Sequence, residues 1–303
     1  MKPLASGTGR PSAPEQLHDT LTFTPPPQMT VQHRRRSLLA CALVLSLLPV
    51  GAGAQARYAS TRDTLRFREV TRGEVRLVAP QGEIPMASEH MATIAVVRTA
   101  GDTARAWFED LTIGVTSPMG AQRPSTADAL HAPFTLTFDD RGRVKLLAAP
   151  SFPASFEGVT DLTRQFDDFF FRLPTAPLRV GYAWSDTSGR TDSTATSFTR
   201  TQSVASYRVE RDTTVDGVPA VVVSMRQQLS SRSDRPIPNQ PGRAVSTLTG
   251  ADSGIVIFAP QAGRFLGRQR EGLLQGDLIM RGAGGEMALK QSYRYTSTVT
   301  AVR

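Results

Sequence analysis

The sequence predicts a mainly β protein built as a curved antiparallel sheet, an open or half barrel, with one principal amphipathic helix. Three observations lead to this fold class. Apolar and polar residues alternate with a period of two, as in Phe134–Phe138 and Tyr207–Glu210, which is typical of strands with one buried face. Turn signals such as Asp216-Gly217 separate these segments. One stretch, at about 158–173, has the apolar spacing of a helix instead.

Further segments repeat the alternation that predicts strands. Leu65–Arg68, Val75–Leu77 and Tyr293–Thr296 each place apolar and polar side chains on opposite faces. Ile94–Val97 and Val221–Val223 are continuous apolar runs, which favours strands buried on both faces. The strands are therefore expected to form a sheet with one face on a core and the other in water.

Short turn motifs join the predicted strands. Asp139–Gly142, Ala262-Gly263 and Ala283–Gly285 each stand between two strand-like segments, and glycine is the usual residue where a tight turn needs positive φ. Frequent short turns predict an up-and-down, meandering sheet. The segments Phe134–Val144 and Gly254–Phe265 also resemble each other, as two copies of one strand–turn–strand unit would.

Three segments are expected to be irregular. Residues 117–133 and 230–242 hold several prolines and few apolar residues, which indicates loops. Ser185–Thr201 is dominated by serine and threonine, and is either a loop or an exposed edge strand.

The predicted helix at about 158–173 is expected to cover the concave face of the sheet. Asp161 near its start and Arg172 near its end match the helix dipole, and Pro174 stops it. Its apolar stripe consists of Val159, Leu162, Phe166, Phe169, Phe170 and Leu173.

An export signal is predicted at residues 29–56. The basic cluster His33–Arg36 precedes the uncharged apolar run Leu38–Val50, and the small residues Gly51–Ala54 follow. This order is typical of a secretory signal peptide, and the run is shorter than the ~20 residues that a membrane-spanning helix needs. Cleavage near Ala54 or Ala56 would give a periplasmic or secreted protein. Both the general secretory and the twin-arginine routes stay open.

The rest of the chain divides simply. Residues 1–28 lack a hydrophobic pattern and are expected to be a disordered leader, or to precede a true start at Met29. Residues 57–303 are expected to form a single β domain. Two similar halves, 57–150 and 175–303, arranged around the helix are the alternative.

Composition argues against several chemistries. The only cysteine lies inside the predicted signal at Cys41, and the predicted mature chain holds just His90 and His131. Zinc sites need three or four clustered ligands, and neither a G-x-S-x-G elbow nor a phosphate-binding glycine motif occurs. We therefore predict no catalytic residue, no metal and no cofactor. The net charge is +8 but its basic residues are scattered, so nucleic acid is not an expected partner.

Aromatic residues are the better functional lead. We predict that they line an apolar cavity, with an ordinary filled core as the alternative. The candidate ligand-binding residues are Trp107, Phe134, Phe138, Phe166, Phe169, Phe170 and Trp184.

Several phrases of the sequence resemble a group of secreted bacterial proteins with a lipoprotein-carrier (LolA-like) half-barrel. They lie within about residues 134–225, and they read as turns and packing positions rather than as catalytic motifs. The resemblance implies a curved antiparallel sheet with helical cover, as in carriers of acyl chains. The phrases are Phe138–Val144, Phe170–Pro174, Leu178–Trp184, Tyr207–Glu210 and Val215–Ala220.

The function expected from these observations is non-catalytic. The first hypothesis is an exported envelope protein that binds or carries a hydrophobic ligand, such as a lipid or a lipoprotein acyl chain, with only transient membrane contact. The alternative is a structural or protein-interaction module of the cell envelope with a filled core and an envelope protein as partner. A hydrolase is the third and least supported hypothesis.

Overall fold

A computed structural model describes residues 55–60, 62–99, 101–152, 156, 162–237 and 241–302. All of them belong to one compact unit, Pro49–Arg303. The predicted leader and nearly all of the predicted signal peptide lie outside the described residues. Within the described ranges, no helix has the length and apolar character needed to cross a membrane.

Antiparallel β-strands make up most of the described chain. One sheet holds them in the order β6-β5-β3-β2-β1-β12-β11-β10-β9-β8-β7, and the short β4 pairs only with β3. The prediction of a mainly β antiparallel protein is thus confirmed. The strands are β1 Leu65–Ala79, β2 Gly82–Arg98, β3 Thr103–Ser117, β4 Gly120–Gln122, β5 Phe134–Phe138, β6 Val144–Ala148, β7 Ala183–Ser193, β8 Phe198–Val215, β9 Val218–Pro236, β10 Gly242–Ala259, β11 Arg264–Gly282 and β12 Gly285–Val302.

The sheet is strongly curled. Strands β5 and β8 stand eight strand spacings apart in the sheet order, which in a flat sheet would separate them by roughly 40 Å. Yet Phe170 stacks on Phe138 of β5 with ring centroids 4.5 Å apart, and its neighbour Phe171 packs against Tyr207 of β8 at 6.2 Å. Two adjacent residues can reach both strands only because the sheet curls around them.

The helix predicted at 158–173 is wrong over the part that the structure describes. Residues 162–164 form a single 3-10 turn, and turns and bends follow up to residue 170. Residues 158–161 lie outside the described residues. The physical reason is the run Phe169-Phe170-Phe171, in which all three side chains are buried. Successive helical side chains point about 100° apart, so a helix lying on a surface would have exposed one of them.

The loop predicted at 230–242 is shorter than expected. Strand β9 continues to Pro236 and β10 begins at Gly242. The two strands continue to pair beyond the core, where serine and arginine side chains on both faces contact water. The composition of this part of β9 is therefore similar to that of a loop. The segment 117–133 contains β4 and a 3-10 turn at Ala127–Ala129. Of the two alternatives for Ser185–Thr201, its first part is the edge strand β7.

The predicted turns lie where the sequence placed them. Asp216 and Gly217 join β8 to β9 with φ of 49° and 79°. Gly263 lies between β10 and β11, and the segment Ala283–Gly285 lies at the junction of β11 and β12. Positive φ at both central residues is typical of the tight hairpin turn that suits the twist of paired strands.

The two faces of the curled sheet differ in chemistry. Apolar side chains occupy much of the inner face, while the outer face carries cross-strand ion pairs such as Arg72–Glu89 at 2.9 Å and Lys290–Asp277 at 2.5 Å. The outer face also exposes apolar side chains, among them Val204, Ile255 and Leu273. The outer face is therefore mixed in chemical character.

A short segment before β1, residues 55–60, crosses one end of the curled sheet. The backbone N–H of Tyr58 donates to Asp140 O at 2.7 Å, and that of Ala59 donates to Gly263 O at 2.9 Å. These acceptors lie in the β5–β6 and β10–β11 turns, the two strand–turn–strand units that resemble each other in sequence. The Tyr58 ring packs between Phe138 and Phe258, at 5.1 and 5.2 Å. This end of the interior is therefore closed.

Candidate functional site

An irregular segment fills the interior of the curled sheet. We call residues 162–173 the plug segment. Its Phe166 packs edge-on against Phe134 of β5 at 5.0 Å, and its Phe169 packs against Phe67 of β1 at 5.4 Å. The rings of this cluster are all buried. The aromatic interior thus has two parts, one carried by strands and one inserted by the plug segment.

The structure brings most of the predicted ligand-binding residues together. Phe134, Phe138, Phe166, Phe169 and Phe170 belong to this one cluster, packed ring against ring. The two tryptophans lie elsewhere, as the next paragraph describes. Whether the cluster ever opens to a ligand stays a prediction.

Neither predicted tryptophan contributes a ring to the centre of the cluster. Trp107 lies between Ala106 and Phe108, which are both buried, so strand alternation directs it to the opposite, outer face. Trp184 on β7 stacks on Tyr207 at 5.1 Å, and its Nε1 donates to Arg172 O at 3.0 Å. Trp184 therefore holds the end of the plug segment.

Ion pairs tie the plug segment to the edge strand β7. Arg190 Nη1 donates to both carboxylate oxygens of Asp167, at 2.7 and 2.9 Å, and Arg164 lies 3.3 Å from the same carboxylate. Arg172 pairs with Asp186 at 2.5 Å. These side chains are only partly buried, and exposed ion pairs contribute about 0–1 kcal/mol each. The ties are specific but weak.

Backbone groups anchor the last residues of the plug segment. The N–H of Leu173 donates to Arg141 O at 2.9 Å, and the Arg141 guanidinium donates back to Leu173 O at 3.0 and 3.1 Å. The hydroxyl of Tyr58 donates to Phe171 O at 2.9 Å. This end of the segment is held more firmly than residues 162–168.

Charged side chains form a layer inside the sheet, directly beside the aromatic cluster. Arg268 on β11 is 5% exposed and donates to the backbone oxygens of Asp168 and Phe169, the latter at 3.2 Å. Glu69 on β1 is buried and accepts from the Gln165 side chain. The interior charges thus satisfy polar groups of the plug segment. Buried charges need such partners, since an unpaired one costs several kcal/mol.

A second group of this layer surrounds Asp252 on β10. The hydroxyl of Tyr295 donates to Asp252 at 2.5 Å, Arg270 lies 3.7 Å from the same carboxylate, and the Arg270 guanidinium is 5.7 Å from the Tyr295 ring centroid. Burial raises the pKa of Tyr295, and the neighbouring carboxylate of Asp252 adds to this shift. Tyr295 therefore stays a hydrogen-bond donor at ordinary pH.

Gly254 lies beside the arginine layer. It pairs with both Arg270 and Met225 in the sheet register, and a Cβ at this position would collide with the carbonyl oxygen of Gln269 and with the Cα and Cβ of Arg270. Glycine at this position therefore lets the backbones of β10 and β11 approach closely next to Arg270.

A small cavity of about 20 Å³ lies between the arginine layer and the plug segment. This is room for a single water molecule. The Nε atoms of Arg268 and Arg270 are buried and have no hydrogen-bond partner among the described residues. Burial, together with the nearby positive charge of Arg270, lowers the pKa of Arg268 to about 10. The cavity lining includes Arg268, Arg270, Gln227, Ser203, Tyr207 and Asp168.

The sequence prediction missed this charged layer. Arg268, Arg270 and Glu69 stand in alternating segments where charged residues normally mark the outer face. The one available signal was the phase of alternation. Phe67 and Glu69 are two residues apart and so share a face, which placed a charge on the apolar side of β1.

A groove of about 430 Å³ runs along the outside of the plug segment. It lies between the two edge strands, β6 and β7. At one end the edges approach each other, where Arg143 lies 3.6 Å from Asp186. The plug segment therefore covers the gap that the sheet leaves open.

The two histidines among the described residues lie in different settings. His90 on β2 packs against Phe108, its Nε2 is buried without a hydrogen-bond partner among the described residues, and burial lowers its pKa. His131 lies in a turn with φ of 59°. In the described ranges, no group of three or more His, Cys, Asp or Glu side chains is placed to hold a metal ion.

Comparison with known proteins gives no family. No family model matches the chain, and no curated protein matches it in sequence. Among solved structures, Neisserial surface protein A is 9% identical, with 78% of this chain and 96% of that chain covered and a TM-score of 0.23. A mutant of Rh. blastica porin is 9% identical, with 77% of this chain and 99% of that chain covered and a TM-score of 0.22. At these TM-scores the likeness carries no argument about this chain.

Proposed function

We propose that this protein is an exported, non-catalytic carrier that binds the apolar chain of a lipid or lipoprotein inside its curled sheet. The ligand would occupy the space that the plug segment fills. One observation carries the proposal: the plug segment inserts Phe166, Phe169, Phe170 and Phe171 into the interior, yet joins no strand of the sheet. This function requires a fold of the LolA-like half-barrel kind. It also requires a periplasmic or secreted location.

The energies of the exchange are comparable. Burying a phenylalanine side chain contributes about 1.5–3 kcal/mol, so the phenylalanines of the plug segment together contribute about 6–12 kcal/mol. An acyl chain of about 14 methylene groups would gain about 11 kcal/mol at ~0.8 kcal/mol per buried methylene. A ligand could therefore replace the plug segment without a large net cost, as a carrier that must also release its ligand requires.

The strand topology provides the opening. Neighbouring strands are all antiparallel and the sheet path contains eleven of them. With an odd number, the edge strands β6 and β7 run in the same direction and cannot close the sheet by antiparallel pairing. Among the described residues, no strand pairing joins the plug segment to either edge, so moving the plug segment there would break none of the described pairings.

Weakening the ties of the plug segment tests the proposal. The probe is cis-parinaric acid, a fatty acid whose fluorescence rises in an apolar site. Asp167→Asn removes the ion pairs to Arg190 and Arg164, so we expect parinaric acid to bind about two- to fivefold more tightly, equivalent to ~0.5–1 kcal/mol. Asp277→Asn, which removes an outer-face pair with Lys290, is the matched control and should leave the affinity unchanged.

Fixing the plug segment tests the same claim in the opposite direction. In a Cys41→Ser chain carrying Asp167→Cys and Arg190→Cys, a short bis-maleimide should link the plug segment to β7 and abolish probe binding. The same double variant without the linker should bind the probe. Equal binding by the linked and unlinked proteins would mean that the probe binds without displacing the plug segment, contrary to the proposal.

A second candidate function is an envelope interaction module with a permanently filled core. The close ring packing of the plug segment and the exposed side chains along β7 favour it. Photo-crosslinking from Thr191, an exposed residue of β7, should then recover one discrete envelope protein, and no variant should bind parinaric acid. Probe binding by Asp167→Asn together with no discrete crosslink would exclude this candidate.

A further inference from the structure

The position of two buried arginines indicates the class of ligand. We infer that the ligand is an anionic amphiphile, with its acyl chain in place of the phenylalanines and its charged headgroup bound by Arg268 and Arg270. This inference rests on the proposed carrier function and adds to it the chemistry of the headgroup.

Backbone oxygens of the plug segment already stand where headgroup oxygens would bind. Arg268 donates to the carbonyl oxygens of Asp168 and Phe169. When the plug segment leaves, this buried guanidinium loses both acceptors. Leaving a buried charge without partners is unfavourable. A ligand that replaces the plug segment must therefore bring oxygen acceptors with it, and a carboxylate or phosphate supplies them in charged form.

The charge of the layer is compatible with an anion. Arg268 and Arg270 interact with the carboxylates of Glu69, Asp252 and Asp168. Asp168 belongs to the plug segment, whereas the other two carboxylates belong to strands. Withdrawal of the plug segment therefore leaves two carboxylates beside two arginines and vacates the position of a third carboxylate. An anionic headgroup would take the place of that third carboxylate.

Further hydrogen-bond donors surround the same position. The cavity between the arginines and the plug segment is also lined by Gln227, Ser203 and Tyr207, and by Asp186, whose carboxylate is paired with Arg172. Burial raises the pKa of Tyr207 to about 12, so its hydroxyl remains a donor. The Nε atoms of Arg268 and Arg270, which have no partner among the described residues, add two more donors at this layer. Amide, hydroxyl and guanidinium donors together suit an anion better than a neutral ester.

The order of the layers matches the shape of an amphiphile. Arg268 bonds to the backbone of Phe169, while the Phe169 ring lies against Phe67 in the aromatic cluster. Charge and apolar surface thus adjoin within a single residue of the plug segment. A molecule with a charged head joined directly to an acyl chain would contact both layers at once.

The experiment compares cis-parinaric acid with its methyl ester, above the pKa of the acid, on the full chain. The two probes share the acyl chain, whereas the ester is neutral and carries one additional methyl group. We expect the wild type to bind the acid at least about tenfold more tightly, as charge-assisted hydrogen bonds predict. Arg270→Gln should reduce this preference to near equality, whereas Arg226→Gln, an exposed arginine on β9, should preserve it.

Arg268→Lys is a second variant, which retains the charge but loses the planar donors. It should keep a reduced preference for the acid, and circular dichroism identifies any variant that fails to fold. Equal affinity of the wild type for acid and ester would overturn the inference while leaving the carrier proposal intact. Binding of neither probe would overturn the carrier proposal itself.

Displacement of bound parinaric acid distinguishes the source of the anion. Myristic acid presents a carboxylate, lysophosphatidic acid presents a phosphate, and monomyristin is their neutral counterpart. Displacement at the lowest concentration by one of the two anions supports the inference and identifies its headgroup. Displacement by monomyristin at the same concentration as both anions contradicts it.

Discussion

The plug segment and the strands around it are equally buried but differently held. The ring centroids of Phe169 in the plug segment and Phe67 in β1 are 5.4 Å apart, and each side chain is 1% exposed. Strand β1 pairs with β2 and β12 along nearly its whole length. The interactions described for residues 162–168 are local turn hydrogen bonds and side-chain ties. Burial alone therefore does not distinguish scaffold from exchangeable part, whereas backbone pairing does.

The largest effect is expected where scaffold and plug segment meet. Phe67→Ala leaves a cavity that paired strands cannot close, so it should lower the free energy of unfolding by about 3–5 kcal/mol. Phe169→Ala should cost less, about 2–3 kcal/mol, because the irregular plug segment can shift into the space. Urea unfolding measures both. Equal losses would mean that the plug segment is as rigid as β1.

A smaller effect is expected from the segment that closes the end of the sheet. Tyr58→Phe removes the hydroxyl that donates to Phe171 O, so it should cost about 0.5–1.5 kcal/mol and loosen the anchored end of the plug segment. Tyr182→Phe, at a ring that stacks on Trp184, is the control for losing a tyrosine hydroxyl. Urea unfolding of the two variants should separate them.

The smallest effect concerns pH and belongs to the scaffold. Burial lowers the pKa of His90, so the unfolded chain binds a proton at higher pH than the folded chain. The stability from neutral His90 is complete above its ordinary pKa of about 6.5, and it is lost as the pH falls from there toward the lowered folded value. The urea midpoint should therefore fall on acidification, and less so in His90→Gln.

His131→Gln is the control for that measurement. His131 lies in a turn outside the buried cluster, so its replacement shows the effect of losing a histidine that does not pack in the interior. A wild-type midpoint that does not fall between about pH 7 and 5, relative to His90→Gln, would contradict the effect assigned to burial.

Sequence reasoning predicted the strands and turns well because their signals are local. Alternation at Phe134–Phe138 and the pair Asp216-Gly217 depend only on neighbouring residues, and both lie as expected. The prediction of a loop at residues 230–236 was wrong because a strand that extends beyond its core needs no apolar residues. Its strand character comes from pairing with β10, which is a long-range contact.

The helix predicted over the plug segment was wrong because of tertiary packing. Its apolar spacing fits a helix, but a curled sheet surrounds it, so Phe171 is buried as well as Phe169. The buried arginines were missed because no short pattern distinguishes an inward arginine from an outward one. Gly254, which pairs with Arg270 where the two strand backbones approach closely, becomes informative only after the register of β10 and β11 is known.

Hydrogen exchange of the plug segment, compared with strands β1 and β12, tests the central claim most directly. If the plug segment is the exchangeable part of the interior, its amides should exchange faster than those of the two strands. Saturating cis-parinaric acid should speed exchange in residues 162–168 further while leaving the strands protected. Protection of the plug segment equal to that of β1, unchanged by the probe, would contradict the account.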